Sequence, residues 1–305
     1  MRKGFLAKDI VLGTALVDMY AKCGVVEKAQ EVLEGLPSRN VVAWSALIMG
    51  YARGGEAHEA LRCYNKMQNE GFFPDAVTFI SVLKACGITQ AIDLGNRAHC
   101  EIVRKGLLGE DIMLCTALVD MYAKCKLLAK AQEVLNELPI QNVASWNALI
   151  AGYAQQGQGR EALTCFKQMQ NEGLAPDEVT FVCLLNACGK TRDIDKGKQI
   201  HDEIASRGLL EKDIALGNGL VDMYAKCGML EKAQKILEQL CVRDVVSWSS
   251  IIAAYAQCNL ENQALLCFDR MVCEGILPTS YTFSSIFKAC SVLQHLMEGK
   301  QIHSV

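Results

Sequence analysis

Apolar residues along the chain recur at the spacing of short helices, and glycines interrupt them. Between residues 41 and 75, a first stripe at helical spacing comprises Trp44, Leu47, Ile48 and Tyr51. Gly54 and Gly55 break the pattern, and a second stripe comprises Ala60, Leu61, Tyr64 and Met67. Gly71 lies where a helix would end, and Pro74 prevents its continuation. The pattern predicts two short helices joined by a tight turn.

The same pattern recurs with a period of 102 residues. The string LVDMYAKC starts at Leu16, Leu118 and Leu220, and the same offset relates Trp44, Trp146 and Trp248. Each period divides into related segments of 31, 35 and 36 residues. Helix pairs this short cannot bury their apolar faces alone, so neighbouring segments must stack. The predicted fold is all-α, a right-handed α-solenoid superhelix of helix-turn-helix repeats with the first helices on its concave face.

The segments form a single array over residues 1–305. The 31-residue segments are 10–40, 112–142 and 214–244, the 35-residue segments are 41–75, 143–177 and 245–279, and the 36-residue segments are 76–111 and 178–213. Residues 1–9 and 280–305 match parts of further 36-residue segments. We therefore expect the sequence to be a piece of a longer protein.

Composition and charge narrow the class of protein. Hydrophobic residues make up 51% of the chain, which predicts a chain folded nearly end to end. No apolar run approaches the roughly 18 residues that a membrane-spanning helix needs. The formal net charge of −3 argues against a nucleic-acid partner, since such proteins usually present a basic face. The 15 cysteines lack the dense spacing of a secreted disulfide scaffold, which favours a reducing compartment.

Several apparent chemical motifs are repeat positions. His99-Cys100-Glu101 and His201-Asp202-Glu203 match the H-x-E of zinc deaminases, but they share one register and no P-C-x-x-C follows. We therefore expect neither catalysis nor a metal site. Without a C-x-x-C pair, the cysteines that recur in register are predicted to be small buried residues. They are Cys23, Cys63, Cys86, Cys125, Cys165, Cys188, Cys227, Cys267 and Cys290.

Two polar positions recur in register. The last residues of the full segments are Asn40, Asp75, Asp111, Asn142, Asp177, Asp213, Asp244 and Thr279, and the fifth residues are Thr14, Ser45, Ile80, Thr116, Asn147, Val182, Asn218 and Ser249. Polar groups in register suit a reader of one base per helical repeat. The alternative is helix capping by the last residues. Capping does not explain a polar residue inside the first helix, where such residues are mildly unfavourable, so the pairing favours base readout.

The segment lengths, with VDMYAKCG, NVASWNALIAGYAQQG and VTFVCLLNACG as openings, resemble pentatricopeptide repeat proteins of the PLS subclass over the whole chain. In that subclass the 31-, 35- and 36-residue segments are S, P and L repeats. The resemblance implies the single-stranded-RNA recognition module of a C-to-U editing or processing factor in a plant mitochondrion or chloroplast, without enzymatic activity or a cofactor. It also implies multiple organellar RNA editing factors as partners of the L repeats, but no membrane or small-molecule partner. The alternative is a tetratricopeptide-like protein scaffold, which a fixed period of about 34 residues would favour.

The resemblance implies a base for each pair of fifth and last residues. Thr14 with Asn40 and Thr116 with Asn142 imply adenine, Ser45 with Asp75 implies guanine, and Asn147 with Asp177 and Asn218 with Asp244 imply uracil. Ile80 with Asp111, Val182 with Asp213, and Ser249 with Thr279 are expected to read weakly. The expected core is 5′-A-G-n-A-U-n-U-3′.

Two further sets of residues are expected to contact the faces of the bases and the phosphates of the RNA. The resemblance implies that the second residue of each segment packs on the base, which assigns Val11, Val42, Val77, Met113, Val179 and Val246. Ala144 and Ala215 would give less contact. These residues could alternatively be ordinary core residues of the helix start. Eight residues after a fifth residue, on the same helix face, lie the candidate phosphate contacts Lys22, Arg53, Lys124 and Lys226, with solvated side chains as the alternative.

Overall fold

The computed structural model describes residues 10–109, 111–210 and 213–293, the side chains of 292 and 293 excepted. The described residues contain α-helices, one short 3₁₀ helix and no strand. Contacts divide the chain into two compact units, residues 1–152 and 153–305. Of the two predicted partial segments, residues 1–9 and 294–305 lie outside the described residues. None of the described helices is long and apolar enough to cross a bilayer.

The first unit contains four consecutive helix pairs and the start of a fifth. Its helices are α1 (Ile10–Lys22), α2 (Val26–Glu34), α3 (Val41–Arg53), α4 (Ala57–Asn69), α5 (Ala76–Thr89), α6 (Ile92–Arg104), the 3₁₀ helix Leu107–Gly109, α7 (Ile112–Lys124) and α8 (Leu128–Glu137). Helix α9 (Val143–Gln155) starts here and ends just past the limit of the unit.

The second unit repeats the same alternation. It contains α10 (Gly159–Asn171), α11 (Glu178–Thr191), α12 (Ile194–Ser206), α13 (Ile214–Lys226), α14 (Leu230–Gln239), α15 (Val245–Gln257), α16 (Glu261–Cys273) and α17 (Ser280–Leu293). Each 31-, 35- or 36-residue segment thus contributes a first helix of 13 or 14 residues, followed by a second helix.

Within each unit, a first helix packs against the second helix of its own segment and against the first helix of the next segment. In the first unit, α3 contacts α4 and α5, and α5 contacts α6 and α7. In the second unit, α13 contacts α14 and α15. The predicted apolar stripes lie at these contacts, since Leu47, Ile48 and Ala60 are fully buried. The prediction of an all-α solenoid of helix-turn-helix repeats is confirmed.

Helix ends follow the predicted turn chemistry. Gly71 follows the end of α4 with a φ of +83°, a left-handed conformation that a glycine adopts without steric cost. Gly24 and Gly228 adopt the same conformation after the first helices of their segments, with φ of 75° and 76°. At the equivalent position of the middle 31-residue segment stands Lys126, whose φ is 65°. That turn is therefore built from a residue poorly suited to it.

The prediction for the cysteines in register needs a correction. Six of the nine are buried, but Cys23 is exposed and Cys125 and Cys227 are half-buried. All three directly follow the last residue of a first helix, where the chain turns towards solvent. The thiols of Cys125 and Cys227 point back at the carbonyls of Cys86 and Cys188, at 3.7 and 3.9 Å.

Candidate nucleic-acid interface

One face of each first helix carries the predicted site residues. The second, fifth, ninth and thirteenth residues of a segment are spaced three, four and four apart, so they lie along one side of an α-helix. We call this face the reading stripe. In the first 31-residue segment it comprises Val11, Thr14, Asp18 and Lys22.

The second residues of the segments are exposed apolar side chains. Val11, Val42, Val77, Met113, Val179 and Val246 are between 48% and 72% exposed, and Ala144 and Ala215 are exposed as well. The alternative that they are core residues of the helix start is therefore wrong. Large apolar side chains exposed at one recurring position are available to pack on a flat apolar partner.

The last residue of every full segment caps the next helix. An oxygen of Asn40 accepts from Ala43 N at 2.8 Å, and one of Asp75 accepts from Thr78 N at 2.8 Å. The same kind of bond is made by Asp111, Asn142, Asp177, Asp213, Asp244 and, at 3.4 Å, Thr279. The capping alternative is thus correct for all of these positions. Capping occupies one oxygen, which leaves the rest of each side chain for other contacts.

In the 31-residue segments the fifth and last residues are also bonded to each other. Asn40 Nδ2 donates to Thr14 Oγ1 at 3.0 Å, and Asn142 Nδ2 donates to Thr116 Oγ1 at 3.3 Å. The hydroxyls of Thr14 and Thr116 donate in turn to the carbonyls four residues earlier, at 2.7 and 2.9 Å. The polar fifth residue is therefore held in place by the last residue of its segment, the same side chain that caps the first helix of the following segment.

Asn218 and Asp244 form the pair of this kind in the third 31-residue segment, with the side-chain amide of the fifth residue as the donor. Asn218 Nδ2 donates to both carboxylate oxygens of Asp244 at 3.1 Å. Asn218 Oδ1 is buried and accepts no hydrogen bond from the described residues. A buried acceptor without a partner costs about 1–3 kcal/mol, so a donor brought to this oxygen would be stabilised.

In the 35-residue segments a third polar side chain, a hydroxyl of the next helix, contacts the pair. Ser45 Oγ lies 3.3 Å from Asp75 Oδ1 and 2.5 Å from Thr78 Oγ1. Ser249 and Thr279 do not bond to each other and instead both contact Thr282 Oγ1, at 2.7 and 3.1 Å. Asn147 is buried in the first unit, and Asp177 caps α11 in the second.

The hydroxyl on the third residue of the next helix was missed at the level of sequence. These residues are Thr78, Ser145, Thr180, Ser247 and Thr282, and each side chain is completely buried. Their signal is present in the chain, because each follows an Asp, Asn or Thr cap by three residues, as in a capping box. They orient the paired polar residues and belong to the same site.

The 36-residue segments lack the side-chain pair. Ile80 and Val182 are half-buried and apolar, while Asp111 and Asp213 cap α7 and α13. The predicted weak readers therefore present only a carboxylate beside an aliphatic side chain.

The candidate phosphate contacts lie on the reading stripe, but three of the four are ion-paired. Lys22, Lys124 and Lys226 bind Asp18, Asp120 and Asp222 at 2.7, 2.6 and 2.6 Å. Arg53 is exposed at the end of α3 and makes no ion pair with the described residues. The three aspartates are a second feature that sequence reasoning missed, although they are part of the repeated LVDMYAKC string.

The two H-x-E motifs serve packing. His99 Nδ1 lies 2.9 Å from Tyr122 Oη, and His201 Nδ1 lies 3.0 Å from Tyr224 Oη. Burial lowers the pKa of both histidines, and nearby Lys130 and Lys232 lower it further. The second helix of a 36-residue segment is thus joined to the first helix of the next segment.

Comparison with known proteins places these features in a family. The model described as the PPR repeat family matches residues 39–87, 141–208 and 243–292, and a model of the PPR repeat matches 14–41, 114–143 and 218–245. A mitochondrial pentatricopeptide repeat-containing protein of Arabidopsis thaliana is 36% identical over 98% of this chain and 29% of its own length. A chloroplastic one is 33% identical over 97% and 48%, and another mitochondrial one is 34% identical over 99% and 54%. The chain thus spans 29% to 54% of the length of these relatives.

Solved structures show the same fold. The pentatricopeptide repeat protein PPR10 in complex with an 18-nt psaJ RNA element superposes with a TM-score of 0.77 at 18% identity, over 96% of this chain and 44% of that one. PPR10 from maize gives 0.66 at 19% identity, over 97% and 43%. At this level of identity the likeness concerns the fold.

Proposed function

We propose that this chain, which belongs to the PPR repeat family, binds single-stranded RNA in a sequence-specific manner with one base per segment. The observation that carries the proposal is the recurring group of an exposed apolar second residue beside a hydrogen-bonded fifth and last residue. Single-stranded bases expose both a flat face and a Watson–Crick edge, and this group offers a contact to each. The RNA complex of PPR10 supports the same class of ligand.

The polar pairs differ in what they offer a base. An ionised Asp only accepts hydrogen bonds, so it suits guanine or uracil, whose edges carry an N–H, whereas the Asn amide also donates, as adenine or cytosine requires. The fifth residue then separates purines from pyrimidines. In this assignment Thr14–Asn40 and Thr116–Asn142 read adenine, Ser45–Asp75 reads guanine, and Asn147–Asp177 and Asn218–Asp244 read uracil.

The segments that lack a polar pair interrupt the readout. Ile80 with Asp111 and Val182 with Asp213 offer no second polar group, so these 36-residue segments should accept any base. Ser249 and Thr279 both contact Thr282, and since each carries only a hydroxyl, this segment offers no carboxylate or amide to a base edge. The proposed target core is therefore 5′-A-G-n-A-U-n-U-3′, with the protein running parallel to the RNA.

The cellular role is proposed from the relatives. Their names assign them to mitochondria or chloroplasts, which supports an organellar location for this chain. We infer that it is the recognition module of a C-to-U editing or processing factor of the PLS subclass. Multiple organellar RNA editing factors binding at the 36-residue segments would be its protein partners.

The test is binding of the full 305-residue chain to RNA that contains the proposed core. The control RNA has the first A-G and the A-U step reversed, which keeps the base composition and length. We expect the reversed RNA to bind at least about ten-fold more weakly at each of several salt concentrations, since a mismatch at a read base costs about 1–3 kcal/mol in protein–DNA recognition. Equal affinity for the two RNAs would contradict base readout and leave non-specific binding or a protein scaffold.

A further inference from the structure

Each 31-residue segment carries an aspartate and a lysine one turn apart on the reading stripe. The pairs Asp18–Lys22, Asp120–Lys124 and Asp222–Lys226 follow the fifth residue by four and eight positions, and their ion-pair distances are 2.7, 2.6 and 2.6 Å. The lysines point along the same helix face as the base-reading residues. In each 31-residue segment the lysine of the reading stripe is therefore neutralised by a carboxylate.

The aliphatic parts of two of these lysines also lie close to a neighbouring helix. If Gly87 carried a Cβ atom, it would lie only 3.1 Å from Cδ of Lys124, and a Cβ on Gly189 would lie 3.2 Å from Cδ of Lys226. The lysine chains thus lie against glycines of the preceding 36-residue segments. From this position the ammonium groups reach Asp120 and Asp222.

The other segments do not pair their cations in this way. The 35-residue segments have Met49, Ala151 and Ala253 at the ninth position, and their only cation at the thirteenth is Arg53. The 36-residue segments place exposed Lys84 and Lys190 on the stripe, and Lys190 binds only the carbonyl oxygen of Gln155, at 3.0 Å. Neither lysine forms an ion pair within the described part of the chain.

We propose that Asp18, Asp120 and Asp222 suppress phosphate contact by the lysines of the 31-residue segments and so keep sequence-independent affinity for RNA low. The inference rests on the proposed function, because it concerns the same RNA-binding face. A phosphate that approached one of these lysines would also approach the aspartate, and repulsion would offset most of the attraction. Among the described residues, the cations of the reading stripe that form no ion pair are Arg53 and those of the 36-residue segments, Lys84 and Lys190. The 36-residue segments are the ones expected to read bases weakly.

The physical consequence is that the RNA affinity of the unmodified chain should depend only weakly on salt concentration. Each phosphate neutralised on a single strand contributes about −0.7 to the slope of log K against log salt concentration. Releasing three lysines should therefore steepen the slope by about 2. Between 50 and 200 mM salt this amounts to a change of roughly 20-fold in affinity relative to the unmodified chain.

The experiment compares four variants of the full chain. D18N/D120N/D222N releases the lysines while preserving side-chain shape. E27Q/E133Q/E231Q makes the same change in net charge on exposed glutamates of the second helices α2, α8 and α14. K22Q/K124Q/K226Q removes the lysines, alone and combined with the Asp→Asn changes. Circular dichroism melts establish that each variant folds, and the affinities for core-containing and poly-uridine RNA are measured from 50 to 200 mM NaCl.

We expect the Asp→Asn variant to bind both RNAs more tightly than the Glu→Gln variant at 50 mM NaCl, with a slope steeper by about 2. Both RNAs should gain by the same factor, because phosphate contacts carry no sequence information. The Lys→Gln changes should matter little alone and should abolish the gain in the Asp→Asn background. A slope equal to that of the Glu→Gln variant, or a large loss from Lys→Gln alone, would overturn the inference.

Failure of the proposed function has a different signature. If the unmodified chain binds both RNAs equally and the Asp→Asn variant still gains affinity, base readout is wrong and the role of the aspartates stands. If the unmodified chain prefers the core-containing RNA and the Asp→Asn variant gains no affinity, base readout is supported and the proposed role of the aspartates is wrong. If neither protein binds RNA, both are wrong.

Discussion

Asn218 donates from its side-chain amide to both carboxylate oxygens of Asp244, at 3.1 Å each. Asp244 at the same time caps α15 through Val246 N and Ser247 N. The carboxylate is therefore fixed by its own helix and by the first helix of the preceding segment. A rigid acceptor beside the buried Oδ1 of Asn218 is suited to distinguish between bases by their hydrogen-bonding edges.

Replacing Asn218 with Thr should change the preferred base at the seventh position of the core from uracil towards guanine. The threonine hydroxyl can bond to the carbonyl four residues earlier, as Thr14 and Thr116 do. This would free the Asp244 oxygens for the N–H groups of a purine edge. We expect a relative change of about ten-fold, or 1.4 kcal/mol, in equilibrium binding to four RNAs that differ only at this base.

Asp244→Asn is the matched control for that experiment. An amide donates where the carboxylate only accepts, so the preference should move from uracil towards cytosine. If both variants keep the preference for uracil, Asn218 and Asp244 serve only as helix packing and cap.

The exposed second residues should contribute to RNA affinity without contributing to stability. Val77 is 48% exposed at the start of α5, whereas Val82 on the same helix is fully buried. Val77→Ala should weaken RNA binding by about 1 kcal/mol, or roughly five-fold, because less apolar surface would be covered by a base. Thermal unfolding should be unchanged.

Val82→Ala should show the opposite behaviour, with a loss of about 2 kcal/mol of unfolding free energy because it leaves a cavity in the core. RNA titrations at a temperature where both variants are folded, together with melting curves, separate the two effects. Equal RNA affinity of Val77→Ala and the unmodified chain would show that the second residues do not contact bases.

Much of the fold could be predicted from the sequence because it depends on local periodicity. The stripe through Trp44, Leu47 and Ile48 and the break at Gly54 are sufficient for a helix pair, and the exact repeat of that pattern requires stacking. The helix α3 that results ends at Arg53, beside the predicted break. Such features need no knowledge of long-range contacts.

The detailed site could be predicted only in part, since it depends on which side chains meet across segments. The recurrence of Thr14 and Asn40 in register indicated a pair, and capping by Asn40 was a competing explanation. The structure shows that one side chain does both, which the residue types alone do not reveal. The position of Lys22 relative to Thr14 indicates a shared helix face, but it does not reveal that Asp18, four residues before the lysine, compensates its charge.

Replacing Lys126 with Gly should stabilise the first unit. Lys126 has a φ of 65°, in the left-handed region that costs an ordinary residue about 1 kcal/mol, and the equivalent Gly24 and Gly228 adopt it without that cost. We expect an increase of about 1 kcal/mol in the free energy of unfolding and a higher Tm by calorimetry. Asn259→Gly, at a φ of 55°, should gain less because Asn tolerates this conformation. An unchanged or lower Tm for Lys126→Gly would contradict the assignment of strain to this turn.

Acidification should destabilise the chain through two half-buried histidines, His99 and His201. Burial lowers the pKa of His99 and of His201, so the unfolded chain takes up these protons at a higher pH than the folded chain does. The stability they contribute is present above the ordinary histidine pKa of about 6.5 and is lost as the pH falls through the lower folded values. The Tm of the unmodified chain should therefore fall more steeply between pH 7.5 and about 5 than that of H99Q/H201Q.

His58→Gln provides the control for this comparison, because His58 is exposed on α4. Its substitution measures the effect on Tm of a histidine-to-glutamine change at an exposed position. The carboxylates are common to all three proteins, so the difference between the melting curves isolates the histidines. If H99Q/H201Q and the unmodified chain lose Tm in parallel, the contacts of His99 with Tyr122 and of His201 with Tyr224 do not couple folding to pH.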